Sequence, residues 1–207
     1  SLSITLMGAV PAGSLLLVAI GNHNSASVVP DSVTDSAGNT YTLISAPNAS
    51  AVTACLAYCP NALALAFGDT ITVTYSSTRH IGMRAYSVSG MATSAFDVSA
   101  TQTAGSGTSA SVGPTATTAQ ADELVFAVLG YSGTRTFTNG SGYTAGTKVE
   151  TLTTVRGVVA EWKTVSATGA QTATGTWSTS TTHAGVVATF KGESALTESV
   201  PDSGAGA

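Results

Sequence analysis

Hydrophobic and polar residues alternate with a period of two along much of this chain. Leu2, Ile4 and Leu6 are separated by Ser3 and Thr5, and Ile71, Val73 and Tyr75 by Thr72 and Thr74. A half-buried strand needs this pattern, because successive side chains point to opposite faces of a sheet. The apolar positions favour β-branched and aromatic residues, which suit a pleated surface. The unbroken apolar run from Leu15 to Ile20 predicts a buried strand. No window sustains a 3.6-residue period with caps, so helix should be scarce. Turn signals separate the runs: Pro11-Ala-Gly13, Asp35-Ser-Ala-Gly38-Asn39, Gly68-Asp69, Asn139-Gly140 and Ser141-Gly142.

The runs also recur. Gly13 to Ile20 is answered by Asp122 to Leu129, and Asn39-Thr-Tyr41-Thr by Ser141-Gly-Tyr143-Thr. Leu56-Ala-Tyr58 is answered by Ala160-Glu-Trp162, Thr74-Tyr75 by Thr176-Trp177, and His80-Ile-Gly82 by His183-Ala-Gly185. Gly90 and Gly192 close the last strand of each set, and the offsets stay between 102 and 109 residues in unchanged order. The expectation is an all-β, jelly-roll-like antiparallel β-sandwich over residues 1–192, with about 10–12 strands and little or no helix. Its sequence-related halves, 1–100 and 113–192, would each cover the apolar face of the other. Residues 101–119 are poor in large apolar side chains and read as the crossover; two small domains joined there are the alternative. Residues 193–207 read as an acidic, Gly/Ser-rich tail or linker.

Composition narrows the partners. A chain of 207 residues buries a core without disulfide staples. Charged residues are only 9%, yet mean hydropathy is +0.28, so the chain folds rather than staying disordered. Glu193, Glu198 and Asp202 supply most of the net charge of −4. A near-neutral body with seven scattered basic residues has no footprint for phosphate backbones, so nucleic acid is not an expected partner. No apolar run approaches the ~20 residues that span a bilayer as a helix. The chain starts at Ser1 without an initiator Met, which reads as a processed product or a piece of something longer.

Candidate chemistry is sparse, and no catalytic residue, metal site or cofactor is expected. Gly-x-Ser-x-Gly is absent, and Ser is so abundant that its proximity to His23, His80 or His183 carries no information. Those histidines read as polar turn residues rather than zinc ligands. Glu150 and Glu161 resemble a glycosidase pair only by proximity; Glu161 reads as a solvent-face strand residue paired with Lys163 or a cross-strand base. Asp31, Asp35 and Asn39 offer oxygen ligands for Ca²⁺, but the same residues spell a tight turn, which is the favoured reading. Cys55 and Cys59 lie about 13 Å apart along a continuous strand and read as free core thiols, unless a bulge at Pro60 draws them into a disulfide. Trp162 and Trp177 fall in alternating strands and read as core or half-buried. The best aromatic candidate for stacking a sugar is the loop with Tyr131, Arg135 and Phe137, and Tyr143 nearby.

Pro11-Ala-Gly-Ser-Leu-Leu-Leu-Val-Ala19 is followed by Asp35-Ser-Ala-Gly-Asn-Thr-Tyr-Thr-Leu43 and by Ala85-Tyr-Ser-Val-Ser-Gly90, with Phe96-Asp97 after it. With Ala121 to Val128 and the strand ending Val187-Ala-Thr-Phe190, this order resembles a diffuse family of modules. They occur in bacteriophage virion proteins (tail, fibre and minor structural) and in bacterial secreted surface proteins. The likeness spans about residues 1–192, and its motifs are strand and turn signatures. It implies a non-catalytic structural or adhesive module, as in capsid decoration or a tail or fibre component, on a virion surface or secreted outside a cell. Its partners would be other structural proteins or copies of itself, in a homo-oligomer or lattice, or surface glycans. A carbohydrate-binding module is the alternative reading, and a glycan-degrading enzyme the second alternative.

Overall fold

The computed structural model describes residues 1–23, 28–46, 52–76, 80–151 and 156–193. Those residues are all-β and antiparallel, with no helix. The strands are β1 (Leu2–Thr5), β2 (Leu15–His23), β3 (Ser32–Asp35), β4 (Thr42–Ser45), β5 (Val52–Cys59), β6 (Thr70–Thr74) and β7 (His80–Val88). They continue with β8 (Met91–Val112), β9 (Asp122–Ser132), β10 (Phe137–Asn139), β11 (Thr144–Ala145), β12 (Val149–Glu150), β13 (Arg156–Ser166) and β14 (Ala173–Gly192). Among the described residues fourteen strands stand where about ten to twelve were expected, the surplus lying in the short β10, β11 and β12.

The first seven strands make two layers, ordered β1-β6-β3 and β4-β5-β2-β7. Between them Val18, Ile20, Cys55, Ala57, Ile71, Val73 and Met83 form one core. On the other face of β2, Leu15, Leu17 and Ala19 join a second core with Leu124, Phe126 and Val128 of β9, Val158 of β13 and Val186 of β14. Burial on both faces is why Leu15–Ile20 carries no polar interruption.

The later strands form one continuous sheet, β10-β14-β9-β13-β11, with β12 on β13 and β8 on β14. It too has two layers. Thr181–Gly192 of β14 pairs with Met91–Gly107 of β8, and from His183 to Lys191 also with β9. Ala173–Thr176 pairs instead with Ser109–Val112, and Gly175–Trp177 with β10. Register shifts around Thr176–Thr181 and His183–Gly185 let β14 pass from one layer to the other. A third core lies between them, holding Val112, Val125, Leu129, Tyr131, Val187 and Trp177. Much of the segment read as a crossover is therefore the second part of β8, a ladder-paired strand up to Val112.

The strands up to β7 thus make two layers, and those from β8 onward two more, where one sheet from each half was expected. The first set is ordered β1-β6-β3 and β4-β5-β2-β7, the second β8-β14-β10 and β11-β13-β9-β14. The four-stranded layers meet back to back at two glycines. A Cβ on Gly21 of β2 would lie 2.9 Å from Val158 Cβ and 3.0 Å from the Gly157 carbonyl. A Cβ on Gly130 of β9 would lie 2.8 Å from the Thr53 carbonyl. The two close approaches are reciprocal, β2 on β13 and β9 on β5. Rings close the flanks: Tyr58 packs edge-on to Phe190 at 5.4 Å, and Tyr86 edge-on to Phe126 at 5.2 Å and Trp162 at 5.5 Å.

Candidate functional site

The aromatic loop expected to stack a sugar folds inward. Tyr131 ends the inward face of β9 and is only 1% exposed; Tyr143 is buried in the same core. Trp177 lies between them and the loop, 4.6 Å from the Tyr131 ring and 4.7 Å from Phe137. Phe137 is partly buried against this core and borders a hollow of about 150 Å³ with Thr136, Gly146 and Lys148. Ligand pockets span roughly 300–1,000 Å³. The structure brings Tyr131, Phe137 and Tyr143 to one core and leaves Arg135 outside it, and the Tyr131 and Tyr143 rings are spent on packing and offer no stacking face.

Their polar ends form a knot on Glu150. Its Oε1 accepts bonds from Tyr131 Oη at 2.9 Å, Lys148 Nζ at 3.0 Å and the Arg135 backbone N–H at 3.5 Å. Burial raises the Glu150 carboxyl, but these donors outweigh it and hold it below the ordinary carboxylate range. Burial and the same carboxylate push the Tyr131 phenol up. The Arg135 guanidinium is turned to the carbonyls of Thr134 at 2.8 Å and Ser180 at 3.2 Å. Tyr143 donates to the Thr172 carbonyl at 3.0 Å, with Lys163 Nζ 4.6 Å from its ring centre. These contacts tie β9, β12 and β14 together.

Glu161 corrects the sequence reading. It is 0% exposed, not on a solvent face. Its Oε2 accepts the Gly140 N–H at 3.1 Å, and its Oε1 is buried without a partner. The turn at Gly140–Tyr143 folds over β13 and seals it. Burial pushes this carboxyl up to about 7, against the opposing pull of the Gly140 N–H and Lys163. Glu123, which sequence reasoning passed over, is also buried, its carboxyl facing Thr189, Asp97 and the Gln120 backbone. Its carboxyl is raised by burial and by nearby Asp97. In the sequence it stands next to Asp122, just before an apolar run.

The remaining candidates serve the fold. Asp35 Oδ1 accepts the N–H groups of Ala37 at 3.0 Å and Asn39 at 3.1 Å, and Oδ2 accepts from Asn39 Nδ2 and Tyr41 Oη, both at 2.8 Å. Gly38 supplies the positive φ of +78° that this turn requires. Asn39 Oδ1 then receives the Leu63 N–H at 2.7 Å, fastening the 60–69 loop. Asp31 joins through its backbone, whose N–H donates to the Thr74 carbonyl at 2.8 Å. His183, read as a turn residue, is buried in β14, its Nδ1 3.2 Å from the Thr181 carbonyl. His80 is exposed, and the His23 side chain lies outside the described residues. Cys55 and Cys59 are buried and free.

A larger groove of about 430 Å³ lies where the halves meet, bordered by Val88, Met91, Asp122, Leu124 and Ser166. Asp122 and Glu123 at its edge are adjacent on one strand and point to opposite faces, unlike the facing pair of a glycosidase. Among the described residues no three His, Cys, Asp or Glu side chains gather as a metal site. The clearest surface feature is apolar. Met7, Phe67 and Leu63 are 93%, 75% and 57% exposed, on two segments joined by Gly68 N–H to the Leu6 carbonyl at 3.0 Å and the Val10–Leu65 bridge. In the sequence Leu63, Leu65 and Phe67 stand two residues apart, but only Leu65 is buried. Compared with known proteins, the chain matches no family model, no curated protein and no solved structure.

Proposed function

We propose that this chain is a non-catalytic structural or adhesive module, built from two related halves and displayed on a bacteriophage particle or outside a bacterial cell. One observation carries the reading: the exposed trio Met7, Leu63 and Phe67 sits on segments held by backbone bonds and by the Asp35–Asn39 turn. Large apolar side chains on a fixed frame mark a protein contact surface. The polar clusters add support, because the Glu150 and Asp35 carboxylates are occupied with internal donors. The Ser/Thr-rich sheet surfaces suit packing against other structural proteins or further copies. Sedimentation of the purified chain over a wide concentration range, with binding to phage particles and cell surfaces, tests this. Self-association or particle binding should weaken at least tenfold in Phe67→Ser, a loss of ~1.4 kcal/mol. A chain that stays monomeric and binds neither would sink it.

A further inference from the structure

The turn that seals Glu161 opens with Asn139-Gly140, the one Asn-Gly step in the chain. Asn139 ends β10 and pairs with Gly175, while Glu161 stands on β13 in the facing layer. The Gly140 N–H crosses to Glu161 Oε2 at 3.1 Å. Most buried backbone N–H groups end on a carbonyl, which does not take the proton. A carboxylate is a base and can. Glu161 Oε1 has no partner among the described residues and takes no part in that bond. A buried oxygen left unbonded calls for an explanation.

Asn139 completes the set. Its side-chain carbonyl carbon and the Gly140 nitrogen belong to adjacent residues, so their union closes a five-membered ring without movement between layers. No Cβ on residue 140 obstructs that ring, and a Cβ there would collide with the Thr174 carbonyl. The Asn139 amide nitrogen donates to the Tyr143 carbonyl and, at 3.4 Å, to the Gly140 carbonyl, which folds the side chain over the turn it begins.

We propose that Asn139-Gly140 is a self-modification site at which Glu161 acts as general base. The Gly140 nitrogen attacks Asn139 Cγ as its proton passes to Glu161 Oε2. The new N–Cγ bond closes a succinimide, the Cγ–Nδ2 bond breaks, and the proton held by the Glu161 carboxyl leaves with the amide nitrogen as ammonia. Oε1 gives that carboxyl a second oxygen from which to return the proton. Water then opens the ring to aspartate or isoaspartate. The sum is asparagine plus water to a carboxylic acid plus ammonia, with Glu161 regenerated. Burial serves the step, since a carboxyl pushed up to about 7 is a stronger base, once ionised, than an exposed glutamate. Lys163 and Tyr143 are the titratable groups that face it. The product places a new negative charge on the turn that closes over Glu161.

The full chain, its Glu161→Gln variant and a synthetic peptide of residues 134–146 are incubated at neutral pH. Peptide mass spectrometry follows conversion at position 139, with isoaspartate measured separately. The folded chain should convert on the order of tenfold faster than the peptide, and Glu161→Gln on the order of tenfold slower than the unaltered chain. Gln keeps the acceptor for the Gly140 N–H but takes no proton, so circular dichroism should show the variant folded. Conversion through local opening of the turn cannot outrun the free peptide. A folded chain no faster than the peptide would therefore overturn the proposal, and so would equal rates in the chain and Glu161→Gln.

Discussion

Replacing Glu161 by Gln changes one atom in a sealed site and asks what a buried charge costs there. The carboxyl's ordinary value is 4.5, and burial lifts it to about 7 in the folded chain. At about 1.36 kcal/mol per unit, this corresponds to roughly 3 kcal/mol between the protonated and charged native states. The folded value lies above the unfolded one, so the native state holds the extra proton. Its stabilisation is fully present below pH 4.5 and lost as pH rises through about 7. Gln keeps the shape and the acceptor for the Gly140 N–H but never ionises. Near pH 4.5 the two proteins should therefore melt within a degree or two. Near pH 8.5 the variant should be more stable by up to about 3 kcal/mol, a Tm gain of about 6–10 °C for a chain of this size. Differential scanning calorimetry at both pH values measures the gap. An offset of the same size at both, or a variant less stable at pH 8.5, would refute the reasoning.

Gly21→Ala and Gly130→Ala each force a methyl onto the opposing layer and should cost about 1–3 kcal/mol in denaturant unfolding, while Gly105→Ala, with open space around it, should stay within about 0.5 kcal/mol. Burial raises the Asp35 carboxyl, but its bonds from Asn39, Tyr41 and Ala37 outweigh this and hold it below the ordinary value. Its stabilisation is thus present above about pH 4 and fades as pH falls through the lowered value; Asp35→Ala should remove about 2–3 kcal/mol at pH 7 by chemical denaturation, and less at pH 3. Cys55 is fully buried, and burial pushes its thiol up to about 11, so a thiol reagent at pH 8 should label it only after denaturant is added, as read by intact mass.

The candidate site was the least legible part. Tyr131, Phe137 and Tyr143 meet in one core, yet a sequence does not say which side of a loop an aromatic ring faces. Trp177 arrives from β14, some forty residues away, and draws Tyr131 and Phe137 inward. Glu161 failed for a related reason. Alternation along β13 gives its face relative to Trp162, but both faces of that strand are covered, and the cover over Glu161 comes from the turn at Gly140. The Asp35 turn, by contrast, was readable because all its donors lie within six residues.

Local chemistry determined what the sequence alone could determine. Period-two alternation and turn residues act over a few positions, so they set the all-β class and the antiparallel strands. Which layer covers which lies beyond that range. Leu15–Ile20 announces burial on both faces but not its partners; those follow from β14 bending between layers and from Gly21 and Gly130, where a Cβ would crowd the opposing backbone. Only the assembled sheets could decide that the aromatics serve the core and that two carboxylates are sealed inside.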